Sequence, residues 1–160
     1  MALRSPLVMV NGEIQQLQSG DDINATITGA IEYTVTNDNA GSIVIGAPVY
    51  ATAADHVDKA KADASATSKV IGLVKSTSIA TSATGQIAVS GILVATTTQW
   101  DAVAGTTGGL TYNTEYFLDP STAGKITATA PTTAGQYVVS IGTAMSTTEL
   151  RIGIHKRILL

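Results

Sequence analysis

GAPVYATAADHVDKAKADASATSKVIGLVKS (Gly46 to Ser76) recurs in relaxed form as NTEYFLDPSTAGKITATAPTTAGQYVVSIGTAMS (Asn113 to Ser146). Gly46 and Asn113 each stand four positions before an aromatic residue, Tyr50 and Phe117, and both residue types accept the positive φ of a tight turn. The aromatic-bearing strand is followed by a polar turn and then an alternating strand, in which Val57, Lys59 and Lys61 match Ile126, Ala128 and Ala130. A second turn leads to IGLVKS (Ile71 to Ser76) against IGTAMS (Ile141 to Ser146). Each copy closes on a further alternating strand, QIAVSGILV (Gln86 to Val94) or ELRIGIH (Glu149 to His155). Strand pieces punctuated by turn residues at this spacing specify an all-β body, a compact barrel or sandwich with an internal two-fold repeat over about 46–94 and 113–155.

Outward from the repeat the chain divides into an N-terminal arm, 1–24, and a β-domain, 25–160. In the arm, LVMV (Leu7 to Val10) and EIQQL (Glu13 to Leu17) flank Asn11-Gly12, the dipeptide suited to a type I′ hairpin turn. The arm equally suits an extended peptide laid on a neighbour, with Gln18 to Asp22 as a short linker. Ile27, Ile31, Tyr33 and Val35 mark an alternating strand with a bulge expected at Gly29. AADHVDKAKADASA is helical by propensity. Its counterpart ITATA runs into Pro131, so it reads as a strand near Val57 to Lys61 with at most one helical turn after it. The threonines before Gln99 and Trp100 cap a one- or two-turn helix that the following glycines stop. The final RIGIHKRILL places Ile152, Ile154 and Ile158 in strand period. Its apolar end is expected to be tucked into the core or under a partner.

Composition limits what such a body does. Of 160 residues, 44% are hydrophobic but only 4% aromatic and 13% charged, about half the usual charged fraction. Val, Ile, Leu and Ala must therefore fill the interior, and a surface of Thr, Ser, Ala and Gly suits coverage by other subunits. A net charge of −3 with scattered basic residues argues against nucleic acid. No cysteine is present, which removes disulfides and thiolate metal sites. No apolar run reaches the length of a membrane span or a signal-peptide core.

The chemistry-bearing residues are few. There is no phosphate-binding Gly-rich loop and no GxSxG elbow. His56 between Asp55 and Asp58 offers at most a weak cation site in a turn, and His155 stands beside Lys156 near the end of the chain. Neither is placed to activate a serine. The carboxylates Asp21, Asp22, Asp55, Asp58, Asp63, Asp101 and Asp119 lack flanking apolar or aromatic pockets of the kind that raise a pKa or hold a sugar. Trp100 reads as a packing anchor. No catalytic, cofactor or metal site is expected.

PLVMVNGEIQQLQSGDDI, VDKAKADASATSKVIGLV and GGLTYNTEYFLDPSTAGKITATAPTTAGQYVVSIGTAMSTTELRI together resemble the virion structural proteins of tailed bacteriophages, of the head decoration (cement) and head-fibre β-domain type. The resemblance implies a homotrimeric, non-enzymatic protein on the virion's capsid surface, made in the host cytoplasm, whose partner is the major capsid protein. It assigns capsid contact to the arm's apolar residues Leu7, Val8, Met9, Val10, Ile14 and Leu17. A fibre module binding a host receptor or glycan is the alternative. The chain lacks the long repeat shaft or collagen-like run that such fibres carry. A small hydrolase requires two carboxylates facing each other across a cleft.

Overall fold

Short apolar runs at period two, interrupted by Gly, Pro, Asn and Asp, can satisfy their backbone groups only by pairing as strands. The structure, a computed structural model, describes residues 7–10, 13–16 and 30–160. Strands β1 (Leu7–Val10) and β2 (Glu13–Gln16) pair antiparallel with Val10 opposite Glu13. The Asn11-Gly12 turn, Leu17, the expected bulge at Gly29, the 24/25 boundary and the side chains of β1 and β2 lie outside the described residues.

The body follows as β3 (Ile31–Asn37), β4 (Ile43–Val44), β5 (Pro48–Ala53), β6 (His56–Lys59), β7 (Val70–Val74), β8 (Ser78–Ile79) and β9 (Thr84–Val94), then the helix α1 (Thr97–Ala104). After it come β10 (Glu115–Leu118), β11 (Ile126–Thr127), β12 (Tyr137–Val138), β13 (Ser140–Ala144), β14 (Glu149–Ile152) and β15 (Ile158–Leu159). Nine of these strands form one sheet, β11-β10-β13-β14-β9-β3-β6-β5-β7, and β9 also pairs with β7. The first half thereby closes into a five-stranded barrel-like ring. Its interior takes one aliphatic side chain from each strand: Val35, Val49, Val57, Val74 and Ile87, none more than 5% exposed. Ile43 and Ile79, paired across β4 and β8, belong to the same core.

The last four residues of β9 pair with β14 and carry the second half. Its core gathers Leu93, Trp100, Tyr116, Ile126, Ile141 and Leu150, and it also includes Ala60 and Ala62 of the first half. Trp100 is fully buried and its indole N–H donates to the Thr148 carbonyl at 2.9 Å. It is the packing anchor that the sequence suggests. Thr96 caps α1 through a capping box with Gln99, and Gly105 ends it in the left-handed region.

Matched residues of the two quoted stretches have matched surroundings. β5 lies between β6 and β7, and β10 between β11 and β13. Gly72 faces Val49 and Gly142 faces Tyr116, and the register shifts immediately after each. A Cβ on Gly72 would come within 2.8 Å of the Ala88 carbonyl oxygen, and one on Gly142 would strike that of Arg151. Gly46 and Asn113 both have positive φ, 81° and 58°. Gly46 N–H donates to Val74 O at 2.8 Å, and Asn113 N–H to Ala144 O at 2.9 Å. Ser76 Oγ accepts from Gln86 N–H and Ser146 Oγ from Thr148 N–H, so each serine holds the hairpin that follows its strand.

The strand around Val57 is β6, His56–Lys59, and the turns after it include a single helix-like bond, Ser68 N–H to Ala64 O at 3.1 Å. Two expectations are corrected. The strand expected through His155 stops at Ile152, the end of β14. Ile158, Leu159 and Leu160 are not tucked into the core: they are 62%, 59% and 42% exposed, because β15 pairs with β12 at the body's surface.

Gly46 combines a left-handed φ with a close approach, since its Cβ would lie 2.8 Å from Trp100 Cζ3. Gly46→Val should therefore lower the unfolding free energy by about 2–4 kcal/mol, backbone strain adding to overpacking. Gly105→Ala, with equal strain but nothing within 4 Å, should lose only about 1 kcal/mol. Urea midpoints at unchanged m-value measure both.

Candidate interaction surfaces

The barrel-like ring of the first half is open at one end. β3 meets β6 only from Thr36 onward, where Thr36 N–H donates to Asp55 O at 2.7 Å. By strand alternation Glu32 and Thr34 point their backbone groups the same way, and no other described strand pairs with them there. On the facing side the β5–β6 hairpin shifts register between Ala51 and Ala53 and turns through Asp55 at φ 59°. The result is an apolar mouth of about 390 Å³, lined by Tyr33, Val35, Ala51, Ala53, Ile71 and Val89, with Asp55 and His56 at its rim. Tyr33 and, beside it on β3, Ile31 are 60% and 57% exposed.

The rim chemistry is a hydrogen-bonded pair rather than a metal centre. His56 Nδ1 lies 2.7 Å from Asp38 Oδ1, and Thr52 donates to Asp38 Oδ2 at 2.5 Å. These two bonds, the histidine's first, hold the Asp38 carboxyl below its ordinary pKa. Asp58 is engaged elsewhere, accepting from Asn39 Nδ2 and from Lys59 N–H. Asp55, His56 and Asp58 are thus not brought together, and among the described residues no three His, Cys, Asp or Glu side chains are placed to hold a metal ion.

The other described carboxylates mostly secure turns. Asp63 pairs with Lys61 at 2.9 Å and accepts from Thr67. Asp119 accepts from Ser121 and Thr122 N–H. Asp101 accepts from Gly109 N–H, Gly108 N–H and Thr106 Oγ1, which gathers the Gly-rich loop after α1. A shallow cleft of about 280 Å³ brings Glu115, Ser140, Arg151 and His155 together. Ser140 Oγ donates directly to Glu115 Oε1 at 2.6 Å, with no imidazole between them. That is the geometry of a held hydroxyl, not of the serine–imidazole relay that activates a nucleophile. Asp21 and Asp22 lie outside the described residues.

A second exposed apolar feature is the ridge of Ile158, Leu159 and Leu160. It is fixed rather than frayed: Leu160 N–H donates to Gln136 O at 3.0 Å and Gly135 N–H to Leu160 O at 2.9 Å. Arg157 stacks its guanidinium 5.3 Å from the Tyr137 ring centroid and donates to Ser65 O and Ser68 Oγ. Lys69, His155 and Lys156 stand beside it, which makes this side of the ridge basic.

Of the residues assigned to capsid contact, Leu7, Val8, Met9 and Val10 fall in β1 and Ile14 in β2, while Leu17 lies outside the described residues. The barrel mouth is absent from the sequence reading. Its only trace there is that Ile31 and Tyr33 continue the alternation of Val35 beyond the point where β6 begins. Compared with known protein families, with curated proteins and with solved structures, the chain finds no match.

The Asp101 carboxyl is held below its ordinary pKa, first by the Gly109 N–H. A depressed folded value means that its contribution to stability is complete above the unfolded value of about 3.9 and is lost as pH falls through the folded one. Asp101→Asn should lower the thermal midpoint by roughly 2 °C at pH 7. The gap from the unsubstituted protein should close below about pH 3.9 as Asp101 itself protonates, which a pair of melting curves per pH reads directly.

Proposed function

We propose that the protein is a non-enzymatic structural component of a tailed-phage virion, a homotrimeric decoration protein seated on the outer capsid surface. In this reading it stabilises contacts between major capsid subunits. Its body is one β-unit used twice, which accounts for the matched glycines, register shifts and serine bonds of the two halves. The observation that carries the reading is the contrast between interior and surface. Among the described residues no buried side-chain nitrogen or oxygen lacks a partner, while the barrel mouth and the Ile158–Leu160 ridge leave large apolar groups open to solvent. A body so complete internally, with so little charge outside, suits a part that is covered on assembly.

The mechanism is area burial with avidity. A rigid body touches several capsid subunits while the preceding arm, through Leu7, Val8, Met9, Val10, Ile14 and Leu17, engages a neighbour. Weak contacts then add within one particle. A fibre module that binds a host receptor or glycan is the second reading, and Tyr33 and Tyr112, 60% and 73% exposed, are the side chains that favour it. Binding of purified protein to host cells or glycans separates it from decoration.

Removing residues 1–22 should leave the β-body's circular dichroism spectrum intact and reduce co-sedimentation with expanded capsids about tenfold or more, as expected when one of several linked contacts is lost. Unchanged capsid occupancy would rule out the arm as a contact.

A further inference from the structure

The barrel mouth and the C-terminal ridge are complementary in two respects. The mouth is concave and apolar, and its rim carries Asp55 and the Asp38–His56 pair. The ridge presents Ile158, Leu159 and Leu160 outward and is preceded by His155, Lys156 and Arg157. An apolar hollow with carboxylates at its edge thus stands on the same chain as an exposed apolar strand end with cations beside it. Charge of this arrangement fixes orientation and register between partners.

The other half of the body shows how such a place is finished. Ile71, which lines the mouth, is 37% exposed, whereas its counterpart Ile141 is fully buried in a core shared with Ala60 and Ala62 of the first half. One isoleucine is covered by the neighbouring half of its own chain. The other, among the described residues, is not.

We propose that the barrel mouth of one copy receives the Lys156–Leu160 ridge of a second copy. The ridge is already bonded to β12, so docking orders no loose segment and loses little conformational entropy. Within one copy the ridge does not line the mouth, so the contact is made between chains. Patches of two different kinds meeting in this way close into a ring when the rotation permits. The inference deepens the homotrimer reading and rests on it for self-association alone.

Ile71→Lys and Leu159→Glu test it in the full chain, since both positions are exposed enough to accept charge without burying it. Sedimentation velocity over a dilution series should show the unsubstituted protein as an oligomer. Each single variant should raise its dissociation constant at least about tenfold, the loss expected of a central apolar anchor. The double variant, which sets Lys against Glu, should recover a large part of that loss. Circular dichroism checks the fold, and Ile71→Ser and Leu159→Ser replace any charged variant that fails it. An oligomer indifferent to either variant overturns the contact and leaves self-association standing. That is also the outcome if the chain's own residues 1–29 fill the mouth. A double variant with no recovery likewise overturns it, and an unsubstituted protein that stays monomeric throughout overturns both the contact and the trimer.

Discussion

Everything in this body depends on β9 pairing along both edges. Its first part, from Thr84 to Ser90, is held by β3 on one side, and its middle by β7 on the other, which closes the barrel. Its last four residues turn away to β14 and begin the second half. The change of allegiance falls where β3 shifts register, between Ile31 and Glu32 opposite Ser90 and Ala88, and next to Gly91 at φ 93°. A bulge with a glycine in a positive-φ conformation is the ordinary means of bending a strand from one sheet direction into another. Closure also removes the sheet edges that β7 and β9 would otherwise expose, so the ring guards against edge-to-edge aggregation as well as enclosing a core.

That closure divides the surface unequally. Where the two halves meet, Ala60 N–H donates to Pro48 O, Gly124 N–H to Ala60 O, Ala62 N–H to Asp119 O and Tyr137 N–H to Ala62 O. Small alanines there let backbone approach backbone, and the second half is buried against the first. Trp100 fastens the same junction from α1, lying against the Gly46 turn of the first half while bonding Thr148 in the second. Among the described residues the outer mouth has no such neighbour. An apolar hollow left uncovered in this way suits contact with a partner.

Much of this was legible in the sequence because it rests on local chemistry. Positive φ at Gly46 and Asn113, the capped helix between Thr96 and Gly105 and the burial of Trp100 each follow from residue types at fixed offsets. The pairing of β9 with β7 was not legible, since alternation marks a strand without naming its partners. The mouth follows from that pairing and was hidden with it. The place of the apolar C-terminal stretch was only partly legible, for a related reason. Its hydrophobicity suggested burial in the core or under a partner, and the core is excluded: β12 and β15 are only two residues each, and the ridge they form stays at the surface of the chain. The side-chain direction of His56 was not legible either, because adjacency to Asp55 and Asp58 in sequence does not set it: His56 turns to Asp38, eighteen residues away.

The function proposed for the chain is a statement about where it sits, so location tests it most directly. A reconstruction of virions that contain the protein should place its double β-body on the outer face of the capsid, three copies together, bridging neighbouring major capsid subunits. Density for the body confined to the tail, or purified virions without it, would contradict the account.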